Sequence, residues 1–353
     1  MDLPELAAEH LRVLHLGGYW RGENDVVRQM MLGLRQTGAE VVEFNTDRER
    51  GALDTEGRVY DRGTNGPVWL RWEAVEPTIT AFDPHLVVCN AGGLSFRPID
   101  AARLRSRRCL VGVALSDPDV LEATTRGIAP LFDRFLTLSP ECLPHYRDVG
   151  ARPLLLRLAT NPEYYRRVPP RHEFTCDVLM IGRAHRDRVD PVRALTREFD
   201  VHVRGEGWSE VGLPSRSMVF GEDLLAALSS AKTTLVFHHT AAGFSLVKVQ
   251  TFDFIAAGAL VLASRHEELS KYLVLGEELL VFDGIDDLKR LVRRCLSDPG
   301  FSQRMRDAGR RRVVVEHTWM SVWGEILAKL ARPYSSESAP AQVDSDGANG
   351  GSP

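Results

Sequence analysis

The chain has 353 residues, which at roughly 150 residues per domain suggests two domains and a tail. Its 44 basic and 48 acidic residues leave a net charge of −4, which argues against a nucleic-acid binder held by bulk charge. With 44% hydrophobic and 26% charged residues, it has the composition of an ordinary globular protein that buries full-size cores. Five scattered cysteines, with no CxxC pair, speak against a disulfide framework or a zinc site and fit a reducing compartment. The N-terminus is acidic where a secretion signal needs basic residues, and no apolar run approaches the ~18 residues of a membrane span. The expectation is a soluble cytoplasmic protein without a transmembrane segment. Only five of the 44 basic residues are lysines, so an Arg in this chain carries little information and a Lys somewhat more.

In chain order, LRVLHL (11–16) reads as a strand ending at Gly17-Gly18. A helix follows, with Val26, Val27, Met30, Met31 and Leu34 on one face, and Gly38 stops it. The next apolar runs are VVEFN (41–45), HLVVCN (85–90), CLVGVAL (109–115) and FLTLS (135–139), with a polar, Gly-rich loop or hairpin over about 46–66. Continuous apolar strands between helices predict a parallel sheet covered on both faces. An aperiodic stretch rich in Pro, Tyr and Arg (159–172) reads as an inter-domain linker. The alternation restarts with DVLMIG (177–182), VHVRG (201–205), TTLVFHH (233–239), LVLAS (260–264) and LLVFDG (279–284). Helices are expected at about 190–198, 222–231, 246–257 and 286–297, and two more close the globular part. Residues 333–353 are nearly free of apolar side chains and are expected to be disordered.

The fold class is therefore α/β, with two Rossmann-like doubly wound domains in tandem facing a cleft. Ligands in such sheets bind beyond the carboxyl ends of the strands, so residues just after each strand are the candidates. Gly17 and Gly18 allow backbone N–H groups to meet an anion at a helix N-terminus, although the GGxxxG spacing is not the dinucleotide fingerprint. A tight turn without a ligand is the plain alternative there. Gly182 ends a strand, and Arg183, His185, Arg186 and Arg188 follow before the next helix. Guanidiniums at that place suit a diphosphate, against the plainer reading of a solvated basic loop. In HHTAAGFSLVKVQTFDFIAAG (238–258), a small-residue loop opens a helix whose first turns carry Ser245, Lys248 and Asp253. Asp253 sits among Phe252, Phe254 and Ile255, where a carboxylate needs hydrogen bonds, for example from ribose hydroxyls. The alternative places it on the outer face of the helix. His238 and His239 make a poor metal pair, because neighbours on a strand point to opposite faces.

At these residues the sequence resembles the GT-B glycosyltransferases of retaining group-1 (GT4-like) type, and most of all their CgeB-like subgroup. The resemblance runs through about 172–332 and is weaker over 11–160. It rests on Gly182 with Asp187-Arg188, on Gly205, Gly207 and Trp208 after the second strand, and on Lys248, Phe252, Asp253 and Ala256-Ala257-Gly258 in the donor helix. GARPLLLRLATNPEYY (150–165) resembles the family's linker, and HTWMSVWGEIL (317–327) its terminal helix. The family's better-known branch has two glutamates here; Ser245 occupies the first position and Asp253 the second.

The resemblance implies a first, acceptor-side domain over 1–160, completed by a helix at 318–332 that crosses back to it. A nucleotide-sugar domain over 172–317 follows. It also implies sugar transfer from a nucleoside-diphosphate sugar, without a cofactor or bound metal. Arg188 and Lys248 would stabilise the departing diphosphate, and Gly17, Gly18, Gly182, Arg183, Trp208, His238, Ser245, Phe252 and Asp253 would bind the donor. On the acceptor side, Ser116 and Asp117 lie at the carboxyl end of a strand and Asn90 heads a similar loop. Asp117 would orient the acceptor, or alternatively cap a helix beginning at Pro118. No DxD triplet follows a strand; Asp117-Pro118-Asp119 is the nearest imitation. The partners implied are the nucleotide-sugar donor and a small-molecule or glycan acceptor, and the sequence leaves the oligomeric state open. Two other readings stay open: a nicotinamide-dependent oxidoreductase resting on Gly17–Gly22 and Glu43, and an inactive GT-B protein that binds a nucleotide sugar.

Overall fold

The computed structural model describes residues 10–17, 26–45, 72–90, 98–105, 108–240 and 242–331. Gly18, the 46–66 stretch and the 333–353 tail lie outside the described residues.

The first sheet is built from β1 (Arg12–Gly17), β2 (Glu40–Asn45), β3 (Leu86–Asn90), β4 (Cys109–Ala114), β5 (Arg134–Thr137) and β6 (Pro153–Leu155). All pairings are parallel, in the order β2-β1-β3-β4-β5-β6. Its helices are α1 (Val26–Gln36), α2 (Trp72–Phe82), α3 (Pro98–Arg105) and α4 (Cys142–Asp148), with short helical turns over Leu121–Leu131. Neighbouring residues serve opposite faces of the strands. Val13 of β1 and Val111 of β4 belong to one core, whereas Leu14, Leu16 and Leu110 belong to another. Burial on both faces is why these strands read as unbroken apolar runs rather than as alternating ones. Gly38 ends α1 at φ 97°, as expected of a C′ glycine. The three-residue edge strand β6 is one more than the sequence pattern predicts.

The second sheet contains β7 (Cys176–Ile181), β8 (Val201–Arg204), β9 (Ala231–Val236), β10 (Val261–Ser264) and β11 (Leu280–Phe282), again all parallel. Its order is β11-β10-β9-β7-β8. The accompanying helices are α5 (Arg186–Leu195), α6 (Gly221–Ser230), α7 (Val249–Ala256), α8 (Ile285–Ser297), α9 (Pro299–Glu316) and α10 (Trp319–Leu330). In both sheets the strand order reverses between the first strand and the third, at β1/β3 and at β7/β9. Two adjacent crossovers leave on opposite faces there, so a crevice opens at the carboxyl ends of those strands.

The terminal helix returns to the first sheet. A Cβ on Gly33 of α1 would lie 2.2 Å from Trp319 Cβ, so the two helices meet where only a glycine fits. The Trp323 indole N–H donates to the Met30 carbonyl at 2.9 Å. Thr160 pairs with Thr318 in a parallel bridge, so the outgoing and returning chain crossings touch. One apolar core runs from Val13 and Met30 through Leu158 to Phe252 and Trp323, joining both halves. Among the described residues no helix is long and apolar enough to cross a membrane, and all five cysteines are buried.

Candidate functional site

At the first crevice, β1 ends in Gly17 and β3 in Asn90. A Cβ on Gly17 would lie 2.7 Å from the His15 ring and 3.0 Å from Asn90 Cβ, so the two strand ends close together only around a glycine. Asn90 is half-buried there. Burial pushes the pKa of His15 down to about 4, although Glu43 opposes the shift. The Glu43 carboxylate, which a nicotinamide reading needs, is paired with Arg35 of α1 at 2.5 Å.

The loop after β4 corrects the reading of Asp117. Its carboxylate is fully buried and accepts hydrogen bonds from Tyr146 (2.6 Å), Thr137 (2.7 Å) and Thr125 (3.1 Å). It neither faces the cleft nor caps a helix; it ties the 121–131 turns to β5 and α4. Burial raises its pKa, and the three hydroxyl donors oppose the rise. Ser116 and Asp119 of the same loop are exposed. Asp119 reaches the second half of the molecule electrostatically, where it raises the pKa of Lys248.

At the second crevice, two strand ends are locked together through glycines. Gly182 follows β7 at φ 132° and Gly205 follows β8 at φ 150°; a Cβ on Gly205 would lie 2.2 Å from the Gly182 carbonyl oxygen. Trp208 is fully buried, and its indole N–H donates to that same carbonyl at 2.7 Å. It therefore anchors the loop and does not face a donor, a second correction. The anchored loop presents Arg188, which lies in the first turn of α5 rather than before the helix. Its guanidinium donates to the Arg183 carbonyl at 2.9 Å, and burial lowers its pKa to about 10. Arg183 itself is exposed and paired with Glu206 at 2.6 Å.

After β9 the chain makes a small hairpin-like loop: Thr240 N–H donates to Phe244 O, Leu246 N–H to His238 O, and Ser245 bridges His239. Ser245 is therefore exposed on that loop and not in the helix. The helix starts later than its sequence pattern suggests, because Lys248 is extended (φ −90°, ψ 137°) and serves as its N-cap residue. Burial lowers the Lys248 pKa to about 8, with Asp119 opposing and Arg188 reinforcing the shift. Lys248 N–H donates to His238 Nδ1 at 3.2 Å, which places the proton of the neutral ring on Nε2. His238 is fully buried, its Nε2 has no partner among the described residues, and burial lowers its pKa to about 3.

Two donor candidates turn inward. Phe252 is fully buried against Tyr272 and His317, edge to face. The Asp253 carboxyl accepts a hydrogen bond from Thr160 at 2.7 Å and another from Tyr165, both in the inter-domain connection. Burial raises its pKa to about 8. Helix periodicity turns Phe252 toward Tyr272 and His317 and Asp253 toward the linker. The expected site thus resolves into a cluster of Arg188, Lys248 and His238, with His185 acting electrostatically beside the two cations.

A pocket that the sequence did not suggest lies alongside. It opens between the loop after β5 (Leu138–Glu141) and the loop after β10 (His266–Glu268), with Ser245–Val247, Leu158 and Tyr272 as its other walls. The only sequence signal for it is position, since both loops follow predicted strands. Among the described residues no group of three His, Cys, Asp or Glu side chains has the arrangement of a metal site.

Residues 183–328 match the family model described as glycosyl transferase-like. No curated protein matches the sequence. Among solved structures, the sucrose-phosphate synthase of Thermosynechococcus elongatus aligns at a TM-score of 0.60 and 13% identity, covering 91% of this chain and 99% of that one. HepE of Anabaena in complex with UDP-glucose aligns at 0.59 and 14%, covering 91% and 100%. An alpha-glucosyltransferase in complex with UDP aligns at 0.63 and 9%, covering 91% and 100%. At such identities the structures speak for the fold, and the family signature lies in the half that carries Arg188 and Lys248. The chain has the fold of these GT-B glycosyltransferases, and its second half is similar to the glycosyl transferase-like family.

Proposed function

We propose that the protein transfers a sugar from a nucleoside-diphosphate sugar to a hydroxyl-bearing acceptor, retaining the anomeric configuration and using fixed cations instead of a metal. The observation that carries this reading is the meeting of Arg188 and Lys248, from distant segments, at the β7/β9 switch point. A diphosphate there accepts from a guanidinium fork and an ammonium, both partly desolvated and therefore effective against developing charge. The α7 N-terminus beside Lys248 adds unpaired backbone N–H groups. During transfer the bond between the anomeric carbon and the diphosphate oxygen breaks, and its electron pair stays on that oxygen. The acceptor oxygen forms the new bond to the anomeric carbon, and its proton leaves with the diphosphate. Arg188 and Lys248 stabilise the charge that grows on the leaving group, while Gly17 at the end of β1 faces it from the other wall. His238, neutral because its pKa lies near 3, offers its Nε2–H to a donor oxygen.

The neighbouring structures with UDP and UDP-glucose make uridine the first nucleotide to try. Melting curves of the full chain with UDP, GDP, dTDP and NAD test the reading, because a ligand selective for the native state raises its melting point. At least one nucleoside diphosphate is expected to raise it and NAD to leave it unchanged. A shift with NAD alone overturns the proposal.

A further inference from the structure

The pocket between the β5 and β10 loops differs in charge from the cation cluster beside it. Its walls include three carboxylates, Glu141, Glu267 and Glu268, and neither Lys nor Arg. In a chain with 44 basic residues, a cleft wall without one sets that wall apart from the rest of the site. Glu268 is paired with Lys271, but Glu141 and Glu267 are exposed and their carboxylates make no hydrogen bond or ion pair among the described residues. Leu158, Leu246 and Tyr272 supply an apolar floor. His266 brings no charge: its Nδ1 accepts from Glu268 N–H, a second bond joins it to the Ser245 backbone, and burial lowers its pKa. Its ring meets that of His238 edge to face, with centroids 6.0 Å apart. His238 thus stands directly behind a wall residue of the pocket, and its buried Nε2 has no partner among the described residues. A buried donor left unpaired beside the pocket points to a ligand oxygen as its partner.

Resting on the transferase reading, we infer that this pocket holds the acceptor and that the acceptor is a hydroxyl-bearing molecule with a protonated amine and an apolar face. The two chemistries divide the cleft. The donor diphosphate seeks Arg188 and Lys248, whereas a second anion beside Glu141 and Glu267 would meet like charge and lose its hydration without repayment. An ammonium gains two charge-assisted acceptors there, and the apolar floor takes the face of a ring.

Calorimetric titration of the full chain without donor tests this apart from the transfer reaction. The probes are nitrophenyl β-glucosaminide, its N-acetylated form and nitrophenyl β-glucuronide, at a pH where the amine is protonated. The glucosaminide is expected to bind about tenfold tighter than the N-acetylated form, the scale of one charge-assisted hydrogen bond, and the glucuronide most weakly. The double variant Glu141→Gln, Glu267→Gln changes two exposed side chains and is expected to erase that preference. Equal affinities, a glucuronide as tight as the glucosaminide, a preference that survives in the double variant, or no binding of any probe overturns the inference. A nucleotide melting shift measured alongside shows whether the donor reading stands when this one falls.

Discussion

Thr160 of the inter-domain connection donates a 2.7 Å hydrogen bond to Asp253 Oδ1 of α7, a residue 93 positions away. Thr160 also bonds through its backbone to His317 and Trp319, where the chain returns to the first sheet. One buried carboxyl thus pins both crossings between the halves. Asp253 is held by the hinge, where its sequence setting suggested a sugar hydroxyl.

That position makes stability pH-dependent. Burial raises the Asp253 pKa from 3.8 to about 8, so within that window the folded chain keeps a proton that the unfolded chain releases. The stabilisation is complete below the unfolded value, declines as pH rises toward about 8, and is level above it. Asp253→Asn stays neutral throughout and keeps an acceptor for Thr160. Its melting point is expected to fall less than that of the parent chain between about pH 5 and about pH 8. Parallel curves for the two proteins would show that the carboxyl does not titrate in that range.

Asp117 is a matter of stability and not of acceptor kinetics. Asp117→Ala leaves the hydroxyls of Tyr146, Thr137 and Thr125 without their shared acceptor, at a cost of about 3 kcal/mol in urea unfolding. Asp117→Asn keeps one acceptor and is expected to cost about 1 kcal/mol. The turnover of the folded fraction should stay that of the parent. A loss of kcat in the stable Asn variant would return this carboxyl to the reaction.

The glycine lock between β7 and β8 is testable by contrast. In Gly205→Ala the new methyl would meet the Gly182 carbonyl at 2.2 Å, with φ at 150°. A cost of at least ~3 kcal/mol is expected, together with weaker nucleotide binding, because the loop carrying Arg188 must shift. Gly212→Ala has the same kind of positive φ, 74°, but meets nothing within 4 Å. Only its conformational strain remains, about 1 kcal/mol, with nucleotide binding unchanged. Equal costs for the two substitutions would mean that the close approach of the strands does not matter.

The ten strands read from the sequence are all present because burial on both faces spells them as runs of Val, Leu and Ile. Strand β6 escaped because three half-buried residues at a sheet edge have no period to read. The sequence pattern puts the start of α7 too early because Ser245 and Lys248 have helix-compatible spacing, while a hairpin through Thr240 and Phe244 holds the loop extended. Lys248 and Arg188 were legible as cations beyond strand ends. What surrounds Asp253, Asp117 and Trp208 was not, because their partners Thr160, Tyr146 and Gly182 come from other elements. For the same reason the carboxylate-lined pocket, made from two loops of different sheets, left no continuous trace in the chain.

Lys248 should show itself in the pH profile of transfer. Its pKa near 8 reflects burial and the nearby Arg188, partly offset by Asp119 from the other wall of the cleft. The ammonium is present below that value and is lost above it. With the nucleotide sugar chosen by melting shift, kcat/KM should be level up to about pH 8 and then fall about tenfold per unit. A bound diphosphate stabilises the ammonium, so the corresponding fall in kcat should begin at higher pH. Lys248→Ala removes a cation that acts on charge growing in the transition state, and should lower kcat by about a hundredfold while flattening the alkaline limb. Lys248→Arg keeps its charge at high pH, so its alkaline limb should move upward even if its bulkier head lowers the plateau. An alkaline limb unchanged in all three proteins, with unaltered melting points, would place the diphosphate elsewhere than beside Lys248.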